Sequence, residues 1–242
     1  MSKLIGIVGY SSSGKSTSLR NMPAKETFIV TPYKSELPIP GFKSKYKMSS
    51  DGKKVGDGNF CICNNISDLP SILKTISTKR PEIKYLVFED ITHYFNAITL
   101  GDAFRSKNTG NAAWARWGDF GATVYQSLFN GSEYREDLTL ITMFHPESYM
   151  TPEGEKLKIK TPGNLLDREV DIPSYFTNLL YTKVLPTNRT SPTPQSERYK
   201  FVTNDDGYSP AKTSYGMFEE LYVDNDLYAI ITQMNNFETL NK

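Results

Sequence analysis

Residues 9–17 read Gly9-Tyr10-Ser11-Ser12-Ser13-Gly14-Lys15-Ser16-Thr17. This stretch has the spacing G-x-x-x-x-G-K-[ST], in which the glycines let the backbone wrap closely around phosphate groups. The lysine of such a loop reaches the terminal phosphates, and the hydroxyl that follows it binds Mg²⁺. The sequence therefore predicts a site for a nucleoside triphosphate and Mg²⁺, with Ser16 on the metal. The predicted nucleotide-binding residues are Gly9, Ser11, Ser12, Ser13, Gly14, Lys15, Ser16 and Thr17.

The residues on either side of this loop suit a strand and a helix. Residues 4–8 form a short apolar run that is typical of a buried parallel strand, and residues 15–21 predict a helix that stops before Pro23. The amides at the start of such a helix would point at the phosphates.

Short β-type runs alternate with helical stretches along the chain. This alternation predicts an α/β fold with a mostly parallel twisted sheet, flanked by helices and extended by antiparallel strands.

Two further apolar runs end in polar residues. Residues 85–88 lead into Glu89 and Asp90, and residues 138–144 lead into His145. Because ligands of open α/β sheets bind at the carboxyl ends of the strands, we expect all three side chains near the phosphates as catalytic residues. One acid would hold Mg²⁺ and the other would orient the attacking water, but sequence order does not assign these roles. His145 would contact the γ-phosphate or its attacking water.

Composition limits the remaining possibilities. The 242 residues carry a net charge of +1 and predict one domain over residues 1–242. Within it we expect surface excursions at 32–59 and 146–162 and a mobile loop at 186–197. No run approaches the roughly 20 apolar residues of a membrane-spanning helix, and no signal segment is visible, so we expect a cytoplasmic protein without a membrane partner.

The cysteines, the tryptophans and the helix that carries them are expected to have structural roles in the protein core. Cys61 and Cys63 are the two cysteines, and they lack partners for a metal site. Residues 112–130 predict a helix that is interrupted near Gly118. Trp114 and Trp117, three residues apart, would lie on the core face of this helix.

Together these elements resemble the RecA-like recombinase core, and more closely a family of bacteriophage RecA-like ATPases associated with single-strand annealing and recombination. The similarity spans residues 4–237. It lies in the phosphate loop and in the segments 86–92, 138–145, 158–167, 201–204 and 211–213. The resemblance implies a RecA-like P-loop NTPase core that binds ATP and Mg²⁺ and hydrolyses ATP, with turnover that is weak or stimulated by DNA or by assembly.

The same resemblance assigns roles to further residues. His145 would be the γ-phosphate sensor that opens a DNA-binding loop at 146–161, in which Tyr149 stacks on bases and three lysines contact the backbone of single-stranded DNA: Lys156, Lys158 and Lys160. Lys212 would be a catalytic lysine that a neighbouring subunit contributes to the ATP site of a homo-oligomer, with Lys160 as a second candidate. The setting would be the host cytoplasm, with phage single-strand-binding or replication proteins as further partners.

The sequence also departs from this pattern. RecA proteins carry a catalytic glutamate just after the second strand, where this chain reads Val30-Thr31-Pro32-Tyr33. The N-terminal extension that RecA uses in filament packing is also not expected, because residues 1–3 lead straight into the first strand. Two alternatives stay open: a binding module that ATP switches without hydrolysis, and a P-loop kinase, whose basic lid would have only Arg105 and Arg116.

Overall fold

The structure is a computed structural model, and it describes residues 3–101, 104, 110–129, 134–162, 167, 170–188, 190 and 192–240, with side chains of the long helix at 110–128 from residue 115 onward. Arg105, residues 163–166 and the side chain of Trp114, which the sequence analysis names, lie outside the described residues. The strands are β1 Lys3–Val8, β2 Thr27–Thr31, β3 Phe60–Ile62, β4 Tyr85–Phe88, β5 Thr139–Phe144, β6 Pro146–Thr151, β7 Gly154–Ile159, β8 Asn178–Val184, β9 Tyr199–Val202 and β10 Tyr222–Asp224.

Helices cover this sheet and join its strands. They are α1 Phe42–Lys45, α2 Leu69–Lys79, α3 Ile91–Leu100, α4 Gly110–Leu128, α5 Gln195–Arg198 and α6 Leu227–Leu240, with 3₁₀ helices at Ser16–Asn21, Ile66–Asp68 and Ile172–Tyr175. Among the described residues, no helix combines the length and the apolar character that crossing a membrane requires.

The main sheet has eight strands in the order β10-β9-β8-β1-β5-β4-β2-β3. The six strands from β8 to β3 are parallel to one another, whereas β9 and β10 are antiparallel to their neighbours. The prediction of a mostly parallel α/β sheet with an antiparallel extension is confirmed at this level. β1 lies between β5 and β8, and β5 separates β1 from β4, so the carboxyl ends of β1, β5 and β4 meet at one edge of the sheet.

Side chains of the central strands alternate between two cores. On β1, Ile5 and Ile7 pack with α6 and with the 3₁₀ helix at Ser16–Asn21. Val8 packs on the opposite face with α2, α3 and α4. β5 repeats this alternation, with Ile141 in the first core and Leu140 in the second. Because both faces of a parallel sheet are covered by helices, its strands are apolar throughout, which explains why they read as short apolar runs in the sequence.

The predicted surface excursion at 32–59 is anchored to the core. Leu37, Ile39, Phe42 and Tyr46 are buried and pack on the face of the sheet that carries α6. The ring of Phe42 stacks on that of Tyr46 and meets Phe60 of β3 edge-on. The segment therefore covers part of this face of the sheet.

Other predicted features differ in detail. α4 runs through Gly118 without interruption, because one glycine costs a helix only about 1 kcal/mol relative to alanine. Trp117 packs against Phe104, and Cys61 and Cys63 are buried free thiols. Segment 146–162 is a hairpin of β6 and β7. The described part of 186–197 has no regular structure before α5, and its mobility stays a prediction.

Candidate functional site: a phosphate-loop cup at the sheet edge

The loop at 9–17 begins where β1 ends, and both of its motif glycines are required by local geometry. A Cβ atom on Gly9 would lie 1.8 Å from Thr182 Oγ1 of β8 and 2.5 Å from Ser13 Oγ. Gly14 has φ +100°, a backbone conformation that side chains with a Cβ rarely adopt. The backbone therefore passes close to β8 and then turns sharply, as a loop that wraps around phosphates must.

The side chain of Lys15 lies inside this loop and is 6 % exposed. Its Nζ donates hydrogen bonds to the carbonyl oxygens of Gly9 at 2.6 Å and Tyr10 at 3.1 Å. Burial lowers the pKa of Lys15, and the charges of Asp90 and Glu89 oppose that shift. The ammonium group therefore sits at the centre of the loop, close to two carboxylates.

The helix that follows the loop differs from the prediction. Residues Ser16–Asn21 form a six-residue 3₁₀ helix, which is too short for a large helix dipole. An anion at this position would therefore meet individual amides of the loop rather than a long helix dipole. Among the described residues, the backbone amides of Gly14 and Lys15 have no carbonyl acceptor. They are thus available to a bound anion.

The two acids after β4 have different surroundings. Glu89 is 4 % exposed, and its Oε1 accepts a hydrogen bond from Ser16 Oγ at 2.8 Å. Burial raises the pKa of Glu89 and the Asp90 charge adds to this shift, while the bond from Ser16 opposes it. Glu89 is therefore the acid that the structure places directly against the loop.

Asp90 caps the start of α3. Its backbone is left-handed, with φ 54°, and its Oδ1 accepts a hydrogen bond from the amide of His93 at 3.2 Å. The same Oδ1 lies 3.5 Å from His145 Nε2. Burial alone would raise the pKa of Asp90, but the interactions with His145, Tyr33 and the His93 amide outweigh it, so the pKa is lowered. A left-handed aspartate is an unusual conformation that clusters at functional sites.

Tyr33 is a site residue for which the sequence predicts no role. Its hydroxyl lies 3.1 Å from Asp90 Oδ2 and 3.4 Å from Glu89 Oε2. The Thr31 hydroxyl donates to the Tyr33 carbonyl at 2.5 Å, which fixes the turn after β2. Burial raises the pKa of Tyr33, and both carboxylates raise it further. The phenol therefore stays protonated, and its O–H group donates a hydrogen bond that the two acids share. The only sequence signal was its place just beyond the end of β2.

His145 joins the site to the β6–β7 hairpin. Its amide donates to Thr92 Oγ1 of α3 at 2.9 Å, and its carbonyl accepts from the amide of Lys160 at 2.8 Å. The backbone of His145 is thus held from both sides. Its imidazole lies beside Asp90, as described above.

These residues line one open pocket with about 480 Å³ of empty space, which we call the cup. The cup is lined by the loop, with Gly14, Lys15, Ser16 and Thr17, and by Tyr33, Pro38, Glu89 and His145. Loop amides, an ammonium group, a hydroxyl and a carboxylate therefore face a shared space. This combination suits a phosphate chain with a bound cation.

Mg²⁺ fits the oxygen atoms of the cup. Ser16 and Glu89 supply a hydroxyl and a carboxylate that already touch. Within the described ranges, no group of three or more His, Cys, Asp or Glu side chains is placed to hold a metal. Mg²⁺ usually takes one or two protein oxygens and completes its octahedron with phosphates and water. Asp90, the other predicted metal ligand, faces His145 rather than Ser16.

The remaining predicted residues lie farther from the cup. Lys212 pairs through its backbone with Leu179 of β8, and it lines neither the cup nor the groove beside it that is described below. On the hairpin, Tyr149 lies opposite Lys156, and Glu147 lies opposite Lys158.

No protein-family model matches this chain, and the curated proteins contain no significant match to it.

Proposed function

We propose that this chain is a RecA-like P-loop ATPase that binds ATP with Mg²⁺ and acts on single-stranded DNA in annealing, recombination or replication. One observation carries the nucleotide half of this proposal. The loop, the Lys15 ammonium and the Ser16–Glu89 pair face one cup, and His145 lines its wall. A phosphate loop by itself supports binding, and the acids beside it add the groups that hydrolysis requires.

Each residue of the cup has a distinct task in this proposal. The free amides of Gly14 and Lys15 bind phosphate oxygens, and Lys15 Nζ exchanges its carbonyl partners for the terminal phosphates. Ser16 and Glu89 hold Mg²⁺, which when bound neutralises the charge on the phosphates. Asp90 holds and orients His145, which contacts the γ-phosphate or its attacking water. Tyr33 keeps the two acids in place by donating to both.

The DNA half of the proposal is supported by the hairpin. Tyr149 is exposed and shares a face with Lys156, and aromatic rings beside cations suit a single strand. Lys158 contributes less, because Glu147 at 3.0 Å and Asp167 at 2.7 Å already neutralise it. We further propose a homo-oligomer in which Lys212 acts on the neighbouring site, in the cytoplasm of a phage-infected cell.

A second candidate is a module that ATP switches without turnover. The observation that favours it is Tyr33. A phenol with a raised pKa stands beyond β2, at the place where the family carries its catalytic glutamate, and it donates to both acids instead of activating water. In this case ATP would bind tightly and persist.

Nucleotide binding is tested first, by titrating a fluorescent ATP analogue with Mg²⁺. Lys15→Ala should weaken binding by about 10–100-fold, since a hydrogen bond to a charged group contributes about 1.5–3 kcal/mol. Lys74→Ala, which removes an exposed lysine of α2, is the matched control and should leave affinity unchanged. Equal affinity of Lys15→Ala and the native protein would refute the proposal.

Turnover and DNA dependence are tested by phosphate release with and without a single-stranded oligonucleotide, on a sample of measured mass. DNA-stimulated release supports the ATPase. Intact ATP after long incubation, with tight binding, supports the switch instead. If neither ATP affinity nor phosphate release responds to DNA at low salt, the DNA half of the proposal is wrong.

A further inference from the structure

A second cavity, which we call the groove, opens beside the cup. It is open to solvent, has about 920 Å³ of empty space and lies between α3 and the β6–β7 hairpin. Its walls are formed by Thr92, His93 and Asn96 on one side and by Pro146 and Lys160 on the other, with His145 between them. His145 also lines the cup, so the groove begins where the terminal phosphate of a nucleotide in the cup would lie.

The free polar groups of the groove are mainly donors. His93 and Asn96 are three residues apart on α3, so they project from the same face of the helix, and both are exposed. Lys160 is exposed on the opposite wall, and no carboxylate in the described part of the chain lies within 4.0 Å of its Nζ. An imidazole, an amide and an ammonium group therefore face a shared solvent-filled space.

The acid of the groove is already engaged. Asp90 accepts from the His93 amide and from Tyr33, and it lies beside the His145 imidazole. These bonds leave the negative charge of Asp90 in place, but Asp90 lines the groove with only 9 % of its surface exposed, whereas Lys160 is exposed to the solvent of the groove. The groove consequently favours an anion.

The groove continues into the basic face of the hairpin. In the β6–β7 register, Lys160 follows Lys156 and Lys158 on alternate positions, with Tyr149 opposite Lys156 and Glu147 opposite Lys158 on the same face. Glu147 and Asp167 neutralise Lys158, so Lys156 and Lys160 supply the net positive charge of this face. Lys156 and Lys160 are four residues apart, or about 13 Å along an extended strand. A single small anion does not span that distance, whereas a chain of phosphates does. The geometry favours a linear polyanion over a compact acceptor molecule.

We propose that the groove binds a backbone phosphate of a single-stranded nucleic acid, held by Lys160, His93 and Asn96, so that the strand runs from the hairpin face to the side of His145. This inference rests on the proposed function and adds α3 to the nucleic-acid path. A phosphate held there lies next to the residue that faces the nucleotide. Occupancy of the groove would therefore act on the nucleotide site through His145 directly.

The test is the fluorescence anisotropy of a labelled oligothymidylate with the protein, Mg²⁺ and a slowly hydrolysed ATP analogue, over a series of salt concentrations. Lys160→Ala should weaken binding about 5–10-fold and reduce the magnitude of the slope of log affinity against log salt by about 0.7, the value for one phosphate contact on a single strand. The double variant His93→Ala/Asn96→Ala should weaken binding about 3–10-fold. Lys74→Ala controls for the loss of one positive charge elsewhere.

The outcomes separate this inference from the proposed function. If the native protein binds the ATP analogue and the oligonucleotide but both groove variants match Lys74→Ala, the inference is wrong and the proposed function stands. If the native protein binds the analogue but no oligonucleotide, the inference and the DNA half fail together. A phosphorylated small molecule found by mass spectrometry would identify the groove as an acceptor site and overturn the inference. Thermal unfolding of each variant shows whether a loss reflects misfolding.

Discussion

Replacing Gly9 by alanine tests whether the loop depends on its close approach to β8. The added Cβ would lie 1.8 Å from Thr182 Oγ1, whereas ordinary contacts begin at 3.4 Å, so the two atoms must separate by about 1.6 Å. Thr182 lies in β8, which is held in the sheet between β1 and β9, and its branched side chain has few allowed rotamers. One alternative rotamer places its methyl group in the same space, and Thr182 Cβ itself is 3.1 Å from the added atom. Ser13 Oγ, at 2.5 Å from the added atom, bonds both Thr182 Oγ1 and the Tyr10 carbonyl. The loop must therefore move.

We expect Gly9→Ala to lose about 1–3 kcal/mol of stability, the usual cost of overpacking, and at least about 100-fold in ATP affinity, because an ångström of displacement misplaces the amides that bind phosphate. Urea denaturation and nucleotide titration measure the two effects. Gly9→Ala/Thr182→Ala, which removes the closest atom, should recover part of both losses.

Gly118→Ala is the matched control for this experiment. Gly118 is exposed within α4, and its added Cβ meets no described atom within 4 Å. This substitution should therefore stabilise the protein by about 0.5–1 kcal/mol. A Gly9→Ala protein with native stability and ATP affinity within twofold of native would refute the steric argument.

Three further predictions concern single side chains. Tyr33→Phe removes the donor shared by the two acids and should slow phosphate release at saturating ATP by about 2–10-fold, since a net hydrogen bond contributes about 0.5–1.5 kcal/mol. Arg135→Ala leaves carbonyls at the end of α2 without their donor and should cost about 1–3 kcal/mol in urea denaturation. The Asp206 side chain is 1 % exposed, and although burial raises its pKa, the bond from Lys183 and other donors outweigh this and lower it. Its stabilisation is therefore complete above the unfolded value of about 3.9 and is lost as the pH falls through the folded pKa, so Asp206→Asn should show a smaller loss of urea midpoint between pH 7 and pH 3 than the native protein.

The parts of the site that could be predicted are those that depend on strand ends. Glu89 and His145 each follow an apolar run, and the parallel order of β1, β5 and β4 brings them to the loop. Because this juxtaposition follows from one rule about parallel sheets, it required no knowledge of individual contacts.

The parts that could not be predicted depend on contacts between distant residues. Nothing in the local pattern says that Tyr33 would meet acids that are 56 and 57 positions later in the chain. The assignment of Glu89 to the loop and Asp90 to α3 follows from the left-handed turn at Asp90, which strand alternation does not anticipate. The 3₁₀ form of residues 16–21 is likewise absent from the local pattern, which suits an α-helix equally well.

Only His145 separates the end of β5 from the start of β6, so the base of the hairpin has no loop that could absorb a change in chain length. An insertion of one residue there would shift the alternation of β6 and exchange Tyr149 with Met150 between the two faces. Residues 152–153 at the turn of the hairpin carry no such constraint. Related chains that differ in hairpin length should therefore gain or lose residues at the tip, in any number, and keep the single-residue join at the base.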